Sequence, residues 1–245
     1  MPARFFVDAP LLPGANLALP PGPARHVQVL RLQPGAALSL FDGRGGEVSA
    51  RVVRIGRNEV QVQLGAHEAA NRELARPVTL ALGMPANERM DALIEKATEL
   101  GVAAIVPLIC ERSVLRLQGE RAEKKLAHWS GVAIAACEQS GRTLLPALSP
   151  VSTLPAWLQS LPEPGVGARW LLSLGDAPAL AQVAAAQAGC REPVLVLSGP
   201  EGGLSPSEEA LALRCGFSAV SLGPRVMRAD TAPLAVLACL GLMCH

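Results

Sequence analysis

The residues best suited to chemistry lie in a glycine-rich loop that follows an apolar segment. Residues 194–198 are apolar enough for a buried strand, and residues 199–203 read Gly-Pro-Glu-Gly-Gly. Ser205 and Glu208 then have the spacing of a capping box, with Pro206 at the first helical position. A strand, a loop and a helix in this order form the corner where α/β proteins bind ligands. The pattern predicts a ligand site, with a simple tight turn as the alternative.

The composition of this loop narrows the kind of ligand. The loop matches neither the dinucleotide pattern GxGxxG nor the P-loop pattern that ends in Gly-Lys-Ser or Gly-Lys-Thr. Glu201 would repel a phosphate, but its carboxylate suits an ammonium group, a sulfonium or ribose hydroxyls. We therefore expect a cationic or hydroxyl-bearing ligand at this loop.

A second candidate loop, residues 222–232, follows the next predicted strand and leads into an apolar helix. Asp230 or Thr231 is placed to cap that helix. Two loops that follow neighbouring strands favour a composite pocket. Simpler roles stay open for single residues, since Asp230 could serve only as a helix cap and Arg225 could pair only with a surface carboxylate.

The elements that would position these loops alternate between strands and helices. A cap at Asn87 and a stop at Gly101 bound one amphipathic helix, and a long helix is predicted over residues 120–140. The strand candidates are residues 78–82, 102–109, 169–174, 193–198 and 218–222. This alternation predicts a mostly parallel sheet covered by helices on both faces.

The N-terminal part of the chain has a different pattern. Apolar and polar residues alternate from Val48 to Val52 and from Val60 to Leu64, as in half-buried strands, and residues 42–46 have the composition of a turn. We predict a small β-barrel or curled sheet over residues 1–72 and a second domain over residues 73–245.

The composition excludes several classes of protein. The formal net charge is only +1, and 4 Phe, 3 Trp and no Tyr offer few stacking surfaces, so RNA would have to be bound through local patches. Apolar stretches fall short of the ~20 residues of a membrane-spanning helix, and no secretory leader is recognisable. We expect a cytoplasmic protein with no membrane partner.

The cysteines lack a Cys-x-x-Cys spacing, which predicts reduced thiols and no metal site.

Six motifs in a fixed order identify a likeness that extends over nearly the whole chain. They are residues 26–31 with 40–43, 99–102, 111–113, 136–142, 199–203 and 222–228. With them the sequence resembles the RsmE family of 16S rRNA (uracil-N3) methyltransferases, which belong to the SPOUT superfamily. One departure is that Ala229, Asp230 and Thr231 stand where the family usually has Thr-Glu-Thr.

The resemblance implies an α/β fold in which a SPOUT-type parallel sheet with a trefoil knot follows a small PUA-like β-barrel domain that binds RNA. It also implies a homodimer and S-adenosylmethionine as the cofactor. Carried over by position, the cofactor-binding residues are Leu174, Gly199, Pro200, Glu201, Gly202, Leu222, Gly223, Val226, Met227, Arg228 and Ala232.

The expected substrate is a uridine near the decoding centre, in 16S rRNA of the small ribosomal subunit. Its N3 proton must be removed or the resulting anion stabilised, so Asp230 is the candidate base and Arg228 the candidate anion-stabilising group. Side chains reach N3 only in an unpaired or splayed-out base. The candidates for RNA contacts, each of which could instead be an ordinary surface residue, are Arg4, Arg25, His26, Arg31, Gln139 and Arg142.

Two other functions compete with this one. A nicotinamide-dependent oxidoreductase would share the parallel sheet and the glycine loop, but the fingerprint and the ribose-binding acid are missing. A non-catalytic RNA-binding protein of ribosome assembly would account for the first domain and leave the second without a role. Calorimetric titration with S-adenosylmethionine and with NAD would separate the three.

Overall fold

The computed structural model describes residues 2–57 and 59–243, apart from the side chain of Asn87, and it contains two compact units. The first unit is the chain up to Arg72 together with Cys137–Leu145. The second is Glu73–Ala136 together with the chain from Pro146 onward. The segment Cys137–Leu145 thus belongs to the first unit by its contacts, although it lies within the range predicted for the second domain.

The first unit is built on a five-stranded mixed sheet with the strand order β1-β3-β4-β5-β2, in which β1 and β3 are parallel and the other pairs antiparallel. The predicted alternation is confirmed, because Val48 and Val52 of β4 and Val60 and Leu64 of β5 are buried. The elements are β1 (Ala3–Phe6), β2 (Asn16–Ala18), α1 (Pro21–Val29), β3 (Ala37–Phe41), β4 (Glu47–Ile55) and β5 (Val60–Glu68).

Helix α1 was not expected from the sequence. Its first turn contains Pro21 and Pro23 with a glycine between them, a composition that normally indicates a turn. Proline is nevertheless tolerated in the first helical turn, where its missing N–H has no helical partner. The helix buries Ala24 and Val27 in the core of the first unit.

The second unit has the predicted parallel sheet, with the strand order β12-β10-β11-β6-β7-β8 and β9 also paired with β7. Every strand pair in this sheet is parallel. The elements are β6 (Val78–Gly83), α2 (Asn87–Glu99), β7 (Ala104–Ile109), α3 (Gly119–Ser140), β8 (Ala147–Leu148), β9 (Ser152–Thr153), α4 (Leu154–Ser160), β10 (Ala168–Leu172), α5 (Leu180–Ala186), β11 (Val194–Ser198), α6 (Pro206–Arg214), β12 (Ser218–Val220) and α7 (Thr231–Met243).

Side chains alternate between the two faces of this sheet and enter two separate cores. Leu80 and Val196 belong to one cluster, with Trp129 of α3 and Leu237 of α7. The neighbouring strand residue Leu197 belongs to the other cluster, which includes residues of α4 and α6. Both faces are therefore covered, as expected for parallel strands.

Several predicted boundaries differ from the structure. Helix α2 has Ala86 at its N-cap, so Asn87 is the first helical residue and not the cap. The strands β10 and β12 end two residues before the predicted limits, at Leu172 and Val220. The residues thereby released lengthen the two loops that follow these strands.

Three further observations concern membrane-spanning helices, disulfide bonds and metal sites. Among the residues that the structure describes, no helix is long and apolar enough to cross a membrane. In the same part of the chain the cysteines are free, while Cys244 lies outside the described residues. No group of three or more His, Cys, Asp or Glu side chains within residues 2–57 and 59–243 could hold a metal ion.

A buried carboxylate organises the first unit. Glu47 Oε2 accepts hydrogen bonds from Arg4 Nε at 3.0 Å and Ser39 Oγ at 2.8 Å, and Oε1 accepts one from Arg72 Nη2 at 3.1 Å. Burial acts to raise the pKa of Glu47, but these hydrogen bonds and the two guanidinium charges outweigh it and lower the pKa below its ordinary value of 4.5. The network links β1, β3, β4 and the end of the N-terminal segment.

The segment Cys137–Leu145 is fixed in the first unit by hydrogen bonds between backbone groups and side chains. The backbone N–H of Phe6 donates to the Glu138 carboxylate at 2.9 Å. Arg72 Nη1 donates to the carbonyl oxygen of Gly141 at 2.7 Å. These bonds tie the segment to both ends of the N-terminal part of the chain.

We expect the substitution Glu47→Gln to lower the free energy of unfolding by about 3 kcal/mol at neutral pH, because it leaves two guanidinium groups without their carboxylate. The folded-state pKa is the lower one, so the carboxylate stabilises above pH 4.5 and loses this effect as the pH falls through the folded-state value. The difference between the two proteins should therefore shrink on acidification. Urea titrations across pH test this.

The matched control is Glu59→Gln, which removes an exposed ion pair with Arg54 from the same sheet. Its cost should stay below about 1 kcal/mol. Equal losses for the two variants, or a Glu47→Gln loss that does not depend on pH, would contradict the role given to the buried network.

Candidate functional site

A cavity of about 630 Å³ lies at the carboxyl ends of three adjacent strands in the second unit. Its walls come from the loops that follow β10, β11 and β12 and from the start of α7. All of the predicted cofactor-binding residues line it, namely Leu174, Gly199, Pro200, Glu201, Gly202, Leu222, Gly223, Val226, Met227, Arg228 and Ala232. The two loops singled out in the sequence are thus brought together by the sheet order.

The loop after β11 is compact because glycines allow close backbone approaches. A Cβ at Gly199 would lie 2.9 Å from the backbone N of Leu204. The N–H of Gly203 donates to the carbonyl of Pro200 at 2.8 Å, and Gly203 has a φ of +69°, which favours glycine. On the opposite side, a Cβ at Gly83 would lie 2.5 Å from Pro200. This wall of the cavity has little freedom to move.

The predicted capping box is confirmed, and it does more than begin α6. Ser205 Oγ accepts from the backbone N of Glu208 at 3.3 Å, and Glu208 Oε2 accepts from the backbone N of Ser205 at 2.9 Å. Glu208 Oε1 also accepts from the backbone N of Glu111 at 2.8 Å. The buried Glu208 side chain therefore joins the glycine loop to the loop that follows β7.

Arg112 is a cavity residue that the sequence indicated only as part of a family motif. It follows β7, lines the cavity, and donates from Nη1 to the carbonyl oxygens of Gly202 at 3.0 Å and Leu204 at 3.2 Å. An arginine just beyond the end of a parallel strand was the signal available in the sequence. Arg112 holds the glycine loop by its backbone.

Glu201 projects from the glycine loop to the beginning of α2. Its Oε1 accepts from the backbone N of Ala86 at 3.1 Å and lies 3.6 Å from Arg89 Nη1. Arg89 also lines the cavity, and sequence reasoning did not identify it. An anionic side chain at a helix N-terminus is favoured by the partial positive charge there.

The second loop contributes apolar surface and the start of α7. Val226 and Leu174 both line the cavity, and 77% and 78% of their surfaces are exposed. Gly223 has a φ of +99°, which sets the direction of the loop after Leu222. The carbonyl of Arg228 accepts from the backbone N of Ala232 at 3.0 Å and so begins the helix.

Asp230 lies immediately before α7 and is half-buried. Its neighbours Ala229 and Ala232 line the cavity, whereas Asp230 itself is not among the lining residues. Its Oδ1 atom is buried and has no hydrogen-bond partner among the described residues. A buried acceptor without a partner is unfavourable. Because Oδ1 is buried and Asp230 does not line the cavity, a ligand would reach this atom only if neighbouring groups moved.

The predicted RNA-contact residues fall into two groups, all within the first unit. Arg25, His26, Arg31 and Gln139 are exposed. The Arg4 side chain and Arg142 are buried, so their contact with RNA stays a prediction that would require them to become exposed.

Arg4 is occupied within the protein. Its side chain is only 8% exposed, binds Glu47, and donates to the carbonyl oxygens of Cys137 at 3.1 Å and Arg142 at 3.3 Å. A phosphate contact would require these bonds to break. Arg4 is a structural residue of the first unit.

The charged side chains around the cavity are unbalanced in favour of cations. The wall holds four arginines and two glutamates, namely Arg89, Arg112, Arg225, Arg228, Glu201 and Glu209. The cavity can therefore hold a ligand with a mixed charge and still attract an anionic partner to its mouth.

Comparison with known proteins gives a consistent result. A family model described as an RNA methyltransferase domain matches residues 72–241, and one described as an RNA methyltransferase PUA domain matches residues 24–65. The chain is 32% identical over 239 residues to ribosomal RNA small subunit methyltransferase E of Synechocystis, covering 97% of this chain and 77% of that protein. It is 31% identical over 242 residues to the protein of the same name from Mycobacterium bovis, covering 98% and 91%.

A solved structure agrees in fold as well. The crystal structure of ribosomal RNA small subunit methyltransferase E from Neisseria gonorrhoeae, bound to S-adenosyl methionine, superimposes with a TM-score of 0.90. The two chains are 33% identical, and the match covers 99% of this chain and 98% of that one. The α/β fold with a PUA-like N-terminal domain is thereby confirmed, while the trefoil knot stays a prediction.

The glycine loop leads to a direct test. We expect Gly199→Ala to destabilise the protein by roughly 1–3 kcal/mol, because the new Cβ would collide with backbone that cannot move independently. The control is Gly131→Ala in α3, where a Cβ meets nothing within 4 Å. That change should stabilise by about 0.5–1 kcal/mol through helix propensity. Urea unfolding of both variants measures these changes. An unchanged stability of Gly199→Ala would show that a Cβ at this position does not collide with the backbone.

Proposed function

The chain belongs to the family of ribosomal RNA small subunit methyltransferase E, and from this premise we propose that it transfers a methyl group from S-adenosylmethionine to N3 of a uridine in 16S rRNA. The target is a uridine near the decoding centre of the small ribosomal subunit. Because that subunit is assembled in the cytoplasm, we place the protein there.

The observation that carries the proposal is the donor set of the cavity. Exposed apolar side chains of Leu174 and Val226 suit an adenine ring, and a carboxylate and a guanidinium occur together in the same wall as Glu201 and Arg89. The glycines of the loop after β11 let backbone N–H and C=O groups approach a ligand closely. These features fit S-adenosylmethionine, which combines an apolar base with cationic and zwitterionic groups.

The chemistry at the substrate follows from the properties of uracil. N3 carries a proton at neutral pH, so a base must accept it and a cation should stabilise the charge spread over N3 and the two carbonyl oxygens. We assign the base to Asp230, whose Oδ1 has no hydrogen-bond partner among the described residues. This atom is buried and Asp230 does not line the cavity, so the assignment requires Oδ1 to become accessible when the uridine binds. We assign the stabilising cation to Arg228, which is exposed in the cavity wall. The cofactor supplies an electrophilic methyl group when bound.

RNA recognition is assigned to the exposed residues of the first unit. Arg25 and His26 lie on α1, and Arg31 follows it. Val29, on the same helix, is 69% exposed and can contact a base or ribose. A few cations give weak, salt-sensitive contacts to phosphates, so a pre-shaped ribosomal surface is needed for firm binding. Gln139, which is exposed near the end of α3, is a further candidate.

We further propose that the protein acts as a homodimer. Helix α7 is apolar along its whole length, but only part of it is buried within the chain. Leu242 is 79% exposed and Met243 is 40% exposed. A helix that is apolar all round is stable in water only when its remaining surface is covered, and a second copy of the chain would cover it.

The non-catalytic alternative, an RNA-binding protein of ribosome assembly, predicts no reaction. It would require the cavity and the unpartnered Asp230 atom to be incidental. Incorporation of a methyl group into RNA distinguishes a methyltransferase from it.

The function is tested by methyl transfer from labelled S-adenosylmethionine to 30S subunits and to protein-free 16S rRNA, both from cells that lack the enzyme. We expect incorporation into 30S subunits at a rate at least about tenfold higher, because the assembled surface engages several weak contacts at once. Mass analysis of the digested RNA should find 3-methyluridine. A sedimentation mass twice the 25.5 kDa of the chain is expected.

Each part of this proposal can fail separately. Absence of incorporation into either substrate would favour the non-catalytic alternative. Methylation at a different atom would overturn the assignment of N3. Equal rates on both substrates would exclude dependence on assembly, and a fully active monomer would exclude the dimer.

The catalytic assignment is tested with Asp230→Asn, which keeps the size of the side chain but removes the base. Turnover should fall by roughly 10²–10⁴, while the affinity for S-adenosylmethionine stays within a few-fold of wild type. Glu163→Gln, which neutralises an exposed carboxylate in the loop between α4 and β10, is the control and should leave turnover unchanged. Wild-type turnover of Asp230→Asn would leave Asp230 with only a structural role at the start of α7.

A further inference from the structure

Arg89 and Glu201 form a pair of opposite charges in the wall of the cavity. Arg89 Nη1 and Glu201 Oε1 are 3.6 Å apart, and both residues line the cavity. Their side chains are 42% and 29% exposed. The contact is longer than an ordinary N–H···O hydrogen bond, so both groups can still form hydrogen bonds with a ligand.

One half of the pair is fixed in place by the backbone. Glu201 Oε1 accepts from the backbone N of Ala86 at 3.1 Å, which orients the carboxylate. The second oxygen, Oε2, has no hydrogen-bond partner among the described residues, and the same holds for the remaining N–H groups of the Arg89 guanidinium. The pair therefore presents one free acceptor and several free donors beside each other.

We infer that Arg89 and Glu201 bind the α-amino acid group of the cofactor's methionine portion. Glu201 Oε2 accepts from the ammonium group, and Arg89 donates to the carboxylate. The inference rests on the proposed function, since it names the part of S-adenosylmethionine that this wall recognises. It gives Arg89, which lies far from the glycine loop in sequence, a binding role.

The chemistry of the pair favours a zwitterion over the other polar parts of the cofactor. Ribose hydroxyls would need the carboxylate but would leave the guanidinium without an anionic partner. A zwitterion satisfies both charges, and charge-assisted hydrogen bonds are the stronger kind. A neutral pair also avoids repelling the cationic sulfonium, which a lone arginine would do.

Other cations of the wall are less suited to this role. Arg112 already uses Nη1 for the carbonyl oxygens of Gly202 and Leu204. Arg228 has no carboxylate beside it within 4.0 Å among the described residues. Binding both the ammonium and the carboxylate of an α-amino acid group through opposite charges requires an anionic and a cationic side chain.

The test compares two ligands by calorimetry, S-adenosylhomocysteine and 5′-methylthioadenosine, which shares the nucleoside and the thioether but lacks the amino acid group. For Glu201→Gln and Arg89→Met we expect the affinity for S-adenosylhomocysteine to fall roughly 10- to 100-fold, the range of a lost charge-assisted bond. The affinity for 5′-methylthioadenosine should stay within about threefold. Arg89→Lys should restore part of the loss, because it keeps the charge.

The control is Glu88→Gln, which removes an exposed carboxylate from the first turn of the same helix and should change neither affinity. Thermal unfolding of each unliganded variant monitors folding. Equal losses for both ligands would assign the pair to the ribose or to loop positioning and overturn the inference, as would an unchanged affinity for S-adenosylhomocysteine. If the wild type binds neither ligand, the proposed function itself fails.

Discussion

Burying a carboxyl group costs free energy unless hydrogen bonds replace its water, and Glu208 meets this condition by joining two loops. One oxygen accepts from Ser205 at the start of α6, and the other accepts from Glu111 beyond β7. The glycine loop is therefore held at its far end. Arg112 holds its middle through two carbonyl oxygens. The fixed loop forms one wall of the cavity.

The rigid wall and the exposed wall have different tasks. The loop after β11 has close backbone approaches at Gly199 and Gly83, and so offers a fixed set of polar groups. Leu174 and Val226, on the loops after β10 and β12, are largely exposed and can pack on an apolar ligand. A preorganised polar wall lowers the cost of ordering on binding. The apolar side chains then supply burial once the ligand is present.

The first unit uses the same device for a different purpose. Glu47 has the same role in the first unit as Glu208 has in the second. Its buried carboxylate accepts hydrogen bonds from separate parts of the chain. Two of these donors are arginines, and Arg4 is thereby removed from the surface. Among the residues proposed to contact RNA, Arg25, His26 and Arg31, on and just after α1, stay exposed.

The sequence by itself determined what depends on near neighbours. The capping box of Ser205 and Glu208 acts over three residues, and the alternation of strands and helices specified a parallel sheet whose carboxyl ends collect the loops. Tertiary structure alone decided the contacts between distant residues. Glu201 meets Ala86 across 115 residues of chain, and Arg4 meets the carbonyl of Arg142 across 138. The sequence does not show whether an arginine is solvated or buried against a carboxylate, because the path of the whole chain determines which groups lie next to it.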